Sequence, residues 1–429
     1  MMLCAEWRLR VLADTMDTFH GRNVRETWRR EDVSWSKMVN EEGNRSYPFP
    51  KLAQSVYCDD KSKKLEKPVI CQDICWAQDG TSFVTVHDDY GVRQYLVPEC
   101  GMNEEKRDLI PFTRVFKNQS IVASRVHPRY SLFNGSESFN VILVSQRDVP
   151  LQLCPLSVEA SSFGSIRSFD VTNPVNGRFQ VAHAIDFDLE NNFLAGFDRN
   201  RVSMYDINRC DPVWTAQSSR KQCGSSFQRQ IVSCFDLQAS QLYQDNTTRY
   251  FGTYKGELHA IDQRRCDTQF LYRSDSGNGF IQLLMSASGR FLYGIKRNSN
   301  IMDVLDVRQI HQKINELELP FKIGTQKFKG NLSATTGLTV GTDRGYVVNW
   351  SSDFVEFGGI DRTCNANSNV RRFSGDLVHW DSDMPYGDSR LNLIQESPVE
   401  AGLFLMSYSP DKFSGQMQDL KSGISLARL

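Results

Sequence analysis

The 429-residue sequence lacks a disulfide framework, a membrane-length apolar run and a surplus of either charge. Its eleven cysteines are odd in number and scattered through apolar segments, so buried free thiols are expected rather than paired bridges. The nearest pair, Cys71 and Cys75 in "CQDIC", has no second cysteine or histidine pair to complete a tetrahedral zinc site, and two strand cysteines are the plainer reading. Lys and Arg total 50 against 51 Asp and Glu, a net charge of -1, so charge-driven binding must come from a local patch. No apolar run approaches the roughly 20 residues of a spanning helix. The opening "MMLCAEWRLRVLADTMDTFHG" is interrupted by Glu6, Arg8, Arg10 and Asp14, which argues against a signal peptide and for a reducing, intracellular setting. Phosphate loops of the GxxxxGK type and G-x-S-x-G elbows are missing as well. Helical periodicity is scarce, with "RQIHQKINELEL" from Arg308 the one candidate.

What is present is a drifted repeat. Strand-like runs crossed by a polar turn read "SFVTVHDDYGVRQYL" from Ser82, "NVILVSQRDVPLQLC" from Asn140, "NFLAGFDRNRVSMYD" from Asn192, "RYFGTYKGELHAID" from Arg249, "RFLYGIKRNSNIMDVLD" from Arg290 and "TGLTVGTDRGYVVNW" from Thr336. Each carries two apolar anchors three positions apart: Val92 and Tyr95, Leu151 and Cys154, Val202 and Tyr205, Leu258 and Ile261, Met302 and Leu305, Val347 and Trp350. A further short strand precedes each run, as in "ICWAQDG" at Ile74 and "SCFDLQAS" at Ser233. Four short strands per repeat cannot bury both faces alone but can when stacked radially, which is the logic of a propeller blade. The expected fold is therefore all-β, a WD-type β-propeller of seven blades: six clear repeats and a seventh from "VEAGLFLMSYSPDKF" at Val399, closed by the termini so that no sheet edge stays open. The expected organisation is an N-terminal extension over 1–66, docked on the ring or partly disordered, and a propeller over 67–413. A long polar insertion falls within 352–390, and a C-terminal tail spans 414–429.

At "KPVICQDICWAQDGTSFVTVHDDYGVRQYLVPE", Lys67 to Glu99, the chain resembles the budding-yeast-type WD-repeat splicing factors named for synthetic lethality with trimethylguanosine synthase. More distantly it is similar to the telomerase Cajal body protein family. The resemblance rests on Trp76, the turn Ala77 to Gly80 and the Tyr95 to Glu99 ending, then on "FLAGFDRNRVSMYDI", "GTYKGELHAID", "GRFLYGIKRNSNIMDVLDVRQ" and "SYSPDKF". Relatives of this type are expected to begin near Lys67. The resemblance implies a nuclear, non-enzymatic interaction platform in pre-mRNA splicing. Its implied partners are splicing proteins and small nuclear ribonucleoproteins, with U1 at the 5' splice site, and its implied state is a monomer within larger assemblies. An RNA-binding propeller that escorts a small nuclear, small Cajal body or telomerase RNA is the alternative. A generic assembly scaffold is a third reading. No cofactor and no membrane association are implied.

His87, Asp88 and Asp89 could be read as a metal or catalytic cluster, but they fall where other repeats place "DRN", "KG", "KRNSN" and "DRG". Asp, Asn and Gly suit such turns because they tolerate positive backbone angles and bond their own main chain, so turn chemistry is expected, with no metal and no catalytic residue. A propeller hydrolase with carboxylates gathered at its channel mouth stays open at this point. If every such turn joins the same two strands of its blade, one face carries Arg147, Arg199, Arg201, Lys255, Lys296, Arg297 and Arg344 as a candidate partner or RNA surface. Ordinary solvated turns are the competing reading. Tyr90, Tyr254 and Tyr346 lie in or beside these turns, where they could stack on bases or cover a neighbouring blade.

Overall fold

Antiparallel hairpins, as the period-two runs require, make up nearly all of the regular secondary structure in the computed structural model, which describes residues 8–15, 69–98, 106–109, 111–133, 137–156, 164–173, 177–189, 191–217, 230–238, 248–359, 370–381, 389–412 and 422–429. Strand β1 (Arg8–Asp14) is set apart in the chain from the rest. The first four-stranded unit holds β2 (Cys71–Trp76), β3 (Ser82–His87), β4 (Gly91–Leu96) and, after the short β5 (Arg107–Asp108), β6 (Thr113–Phe116). The second holds β7 (Ile121–Val126), β8 (Val141–Gln146), β9 (Leu151–Pro155) and β10 (Arg167–Phe169). The third holds β11 (Ala184–Leu189), β12 (Asn192–Gly196), β13 (Arg201–Asp206) and β14 (Trp214–Gln217). The fourth holds β15 (Val232–Gln238), β16 (Thr248–Thr253), β17 (Glu257–Asp262) and β18 (Asp267–Arg273). The fifth holds β19 (Phe280–Met285), β20 (Phe291–Lys296), β21 (Ile301–Asp306) and β22 (Lys313–Glu318). In the sixth, β23 (Asn331–Ser333), β24 (Gly337–Gly341) and β25 (Val347–Trp350) are followed by helix α1 (Ser352–Glu356) and β26 (Arg371–Ser374), and the fourth strand is β27 (Asp376–Trp380). The seventh runs β28 (Arg390–Glu396), β29 (Leu403–Ser409), β30 (Gly423–Arg428) and back to β1.

The first strands β2, β7, β11, β15, β19, β23 and β28 lie each against the next, and β28 lies against β2, so the ring closes on itself as a β-propeller. Between neighbouring units the side chains form separate apolar clusters. Leu12, Trp76, Phe83, Tyr95, Leu405 and Leu426 fill the seam between the last unit and the first. Phe187 and Phe193 pack against Leu143 and Leu153 between the second and third. Each fully buried Leu or Phe in these seams contributes about 1.5–3 kcal/mol of transfer free energy. The anchors Tyr95, Cys154, Tyr205, Ile261, Leu305 and Trp350 all lie on third strands and are buried. Tyr95 stacks on Phe83 with centroids 4.8 Å apart, and Tyr205 stacks on Phe193 at 5.1 Å.

Closure is made by the chain ends. Arg10–Asp14 of β1 pairs antiparallel with Ser425–Arg428 of β30, Tyr408 Oη donates to Asp14 Oδ1 at 2.7 Å, and Ile424 N donates to Thr15 Oγ1 at 3.0 Å. The remainder of 1–66, including Trp7, Trp28 and Trp35, lies outside the described residues. The boundaries near the C-terminus differ from the expectation. The expected tail from 414 supplies β30, whose alternate residues Ile424 and Leu426 are buried. The polar stretch 352–390 contains β26 and β27, held by partners outside the segment: Asn315↔Arg371 on one side and Val347↔Val378 on the other. The helix candidate "RQIHQKINELEL" resolves into a 3-10 turn at Val307–Gln309, capped by Asp306, and strand β22, because its second half alternates against β21.

Candidate partner-facing turns and axial charge network

The sequence-selected cationic turns all connect the second and third strands of their units. Contacts between turns of neighbouring units show that they share a face. Lys412 in the β29–β30 connection meets Asp88 of the first unit at 2.9 Å, and Arg297 of the fifth unit lies 4.2 Å over the Tyr254 ring of the fourth. Tyr254 meets His183 at the entry to the third unit edge-on, with centroids 6.3 Å apart, and His183 Nε2 pairs with Asp198 at 3.2 Å. The turns are tight: Tyr90, Asp148, Arg199, Asn200 and Asn298 have φ between 51° and 68°, the left-handed region that such turns demand.

On this face Arg147, Arg199, Lys255 and Arg344 are exposed. Arg201 and Arg297 are half-buried, with Arg201 lying 4.2 Å over Phe197. Burial pushes the Arg201 pKa down. Lys296 does not belong to this surface. It is the last residue of β20 rather than a turn residue, and alternation turns it inward, where Nζ pairs with Asp303 at 2.6 Å and bonds Ser274 Oγ at 3.1 Å. Asp303, the acid in the interior of "IMDVLD" where the strand is otherwise apolar, was the signal for that partner.

His87, Asp88 and Asp89 form no common site. His87 ends β3 fully buried, its Nε2 within 2.8 Å of Thr85 Oγ1. Asp88 Oδ1 accepts from Ile70 N at 2.8 Å, while Asp89 accepts from Gly91 N at 3.0 Å and pairs with Arg93. Among the described residues no group of three or more His, Cys, Asp and Glu is arranged to hold a metal ion. Tyr90 is 40% exposed, and Tyr346 is half-buried.

A second feature, not selected from the sequence, lies toward the ring axis. Arg249, on β16, donates to Asp236 Oδ1 at 2.8 Å, Asp186 Oδ2 at 2.6 Å and Asp188 Oδ1 at 3.1 Å, and Arg125 on β7 pairs with Asp186 at 2.8 Å. The network therefore links the second, third and fourth units. Burial opposes the charge of Arg249, but Asp236 and Asp186 outweigh it and hold its pKa above the usual value. Asp236 shifts upward because burial prevails over its bonds from Arg249 and Tyr250 N. Across the ring, the segment entering β23 runs along β28, with Lys329 N on Asn392 O at 2.9 Å. It sends Lys329 Nζ to Asp73 at 2.6 Å and Lys327 Nζ to Val122 O at 2.7 Å, reaching the first and second units.

No family model matches the chain. Among curated proteins, "Protein SWT21" of Zygosaccharomyces rouxii is 43% identical over 93% of this chain and 92% of its own length. The protein of that name from Vanderwaltozyma polyspora is 40% identical over 97% of each chain. That from Kluyveromyces lactis is 37% identical over 98% of this chain and 100% of its own. These last two alignments leave too few residues uncovered for 1–66 to fall outside the shared part, so the expected start of the likeness near Lys67 is moved upstream.

Proposed function

We propose, from the premise that the chain belongs to the SWT21 family, that it is a non-enzymatic interaction platform in nuclear pre-mRNA splicing that associates with small nuclear ribonucleoproteins and supports U1 at the 5' splice site. The splicing assignment draws on the family resemblance of the repeats. The observation that carries the platform reading is the setting of Arg147, Arg199, Lys255 and Arg344, exposed on equivalent turns along one face of a closed ring. A rigid ring holds such turns at constant separation, which suits recognition of an extended anionic surface better than scattered loop charges would. Its axial carboxylates are matched by Arg249, Arg125 and Lys329, a use of charge that holds units together.

The test is recovery of U1 RNA with a tagged chain from nuclear extract. Wild type is expected to recover it, and the triple variant Arg147→Glu, Arg199→Glu, Arg344→Glu is expected to lose most of that recovery while keeping its thermal stability. Undiminished recovery by the variant removes the face from the reading. Absence of small nuclear RNAs with the wild-type chain removes the splicing role.

A further inference from the structure

The cations of the turn face are not equivalent. Elsewhere in the ring Arg93, Arg249, Arg308 and Arg372 each lie on a carboxylate. Arg199, Arg201 and Arg297 form no ion pair with a carboxylate among the described residues: Asp198 is paired with His183, and Asp170 and Asp198 act on Arg201 only at longer range. The guanidinium carbons of Arg201 and Arg297 instead lie over the Phe197 and Tyr254 rings, each 4.2 Å from the centroid, and the contacts Tyr254 to His183 and His183 to Asp198 join the two pairs into one continuous sector over the third to fifth units. The Nε of each arginine is buried with no hydrogen-bond partner among the described residues, while each side chain as a whole is only half-buried. Exposed Arg199 and Lys255 flank the pairs.

We infer that this sector is a site for an unpaired RNA segment, with the Arg201 and Arg297 planes stacking on bases and Arg199 and Lys255 following the phosphates. The inference rests on the reading of the turn face as the partner-facing side and names its ligand. A guanidinium backed by an aromatic ring presents a flat, preoriented cation, which a base can cover on its free face while a phosphate accepts from the terminal nitrogens. An acidic peptide would use only the edge of each guanidinium, for which two ring-backed planes in one sector offer no added advantage.

The experiment measures anisotropy of a fluorescein-labelled 12-nucleotide oligouridine RNA with the purified full chain between 50 and 200 mM NaCl. Wild type is expected to bind, with affinity falling as salt rises by a log–log slope of about -0.7 per phosphate contact. Arg201→Ala and Arg297→Ala are each expected to weaken binding by about tenfold or more, the loss typical of removing a stacking platform. Arg201→Lys and Arg297→Lys retain charge but lose the plane, so they are expected to keep the salt slope and still lose affinity. Arg199→Glu, on an exposed side chain that does not bear on folding, is expected to flatten the slope. Absence of oligouridine binding by wild type overturns the inference, as do unweakened Lys variants or a labelled oligoglutamate peptide that binds as tightly as the RNA. If any of these occurs while U1 RNA is still recovered from extract, the platform stands with a protein contact and only the RNA site falls.

Discussion

Replacing Arg249 by Met tests the joints between units. The side chain is 4% exposed and is bound to three carboxylates and to the Asp236 carbonyl, at 2.9 Å. After its removal Asp186 keeps Arg125 at 2.8 Å and Asp188 keeps Gln263 Nε2 at 2.8 Å, whereas Asp236 keeps the Tyr250 amide at 3.2 Å. The loss therefore falls mainly on one buried carboxylate, and Arg249→Met is expected to cost about 3–5 kcal/mol at neutral pH. Asp236 already titrates above the usual carboxylate value, by burial, with the arginine present. Without Arg249 its folded-state pKa rises further, so the native state takes up a proton more readily than the unfolded chain, and the variant recovers stability as pH falls toward the ordinary carboxylate range. Urea unfolding followed by tryptophan fluorescence at pH 7.5 and 5.5 reads both effects, and adding Asp236→Asn should recover a large part of the loss by removing the stranded charge. A cost under about 1 kcal/mol, or no recovery from Asp236→Asn, would refute the reading of Arg249 as the neutralising centre of the network.

The remaining expectations concern closure, packing and reactivity. Tyr408→Phe strips the 2.7 Å bond from the buried Asp14 carboxylate and should lower stability by about 1–3 kcal/mol, read as a fall in the thermal midpoint. Gly341→Ala would set a Cβ 2.3 Å from the Leu391 carbonyl oxygen on the neighbouring unit, and a loss of about 1–3 kcal/mol or more by urea unfolding is expected. In native alkylation mapped by peptide mass, exposed Cys210 and Cys266 should react well before Cys71, Cys75 and Cys234. Burial raises all three of the latter thiols, Cys75 to about 11 and Cys234 to about 12.

The strand pairs of the ring were readable because each second and third strand carries its apolar residues in sequence order around a local turn. Val92 with Tyr95 and Val347 with Trp350 mark the same buried face wherever they recur. Strands whose partners are distant could not be read that way. β27 is only five residues with an exposed Leu377, and it becomes a strand through Val347↔Val378 in its own unit and Arg8↔His379 from the far end of the chain. The turn face was legible as a set of connections, but not the fate of each cation. Lys296 and Arg297 are adjacent in sequence, and the strand's pleat sends one to Asp303 and the other over Tyr254. The axial network was invisible for the same reason: Arg249 meets Asp186 and Asp188 across more than sixty residues of chain, and no spacing rule connects them.

The most direct measurement of the closed ring is an electron cryomicroscopy map of the full chain viewed down its axis. Seven wedges around a central channel are expected, with β1 density forming the outer strand of the wedge built from β28, β29 and β30. Six wedges, an open arc with β1 detached, or two sheets stacked face to face would contradict the ring and, with it, the common face on which the turns are placed.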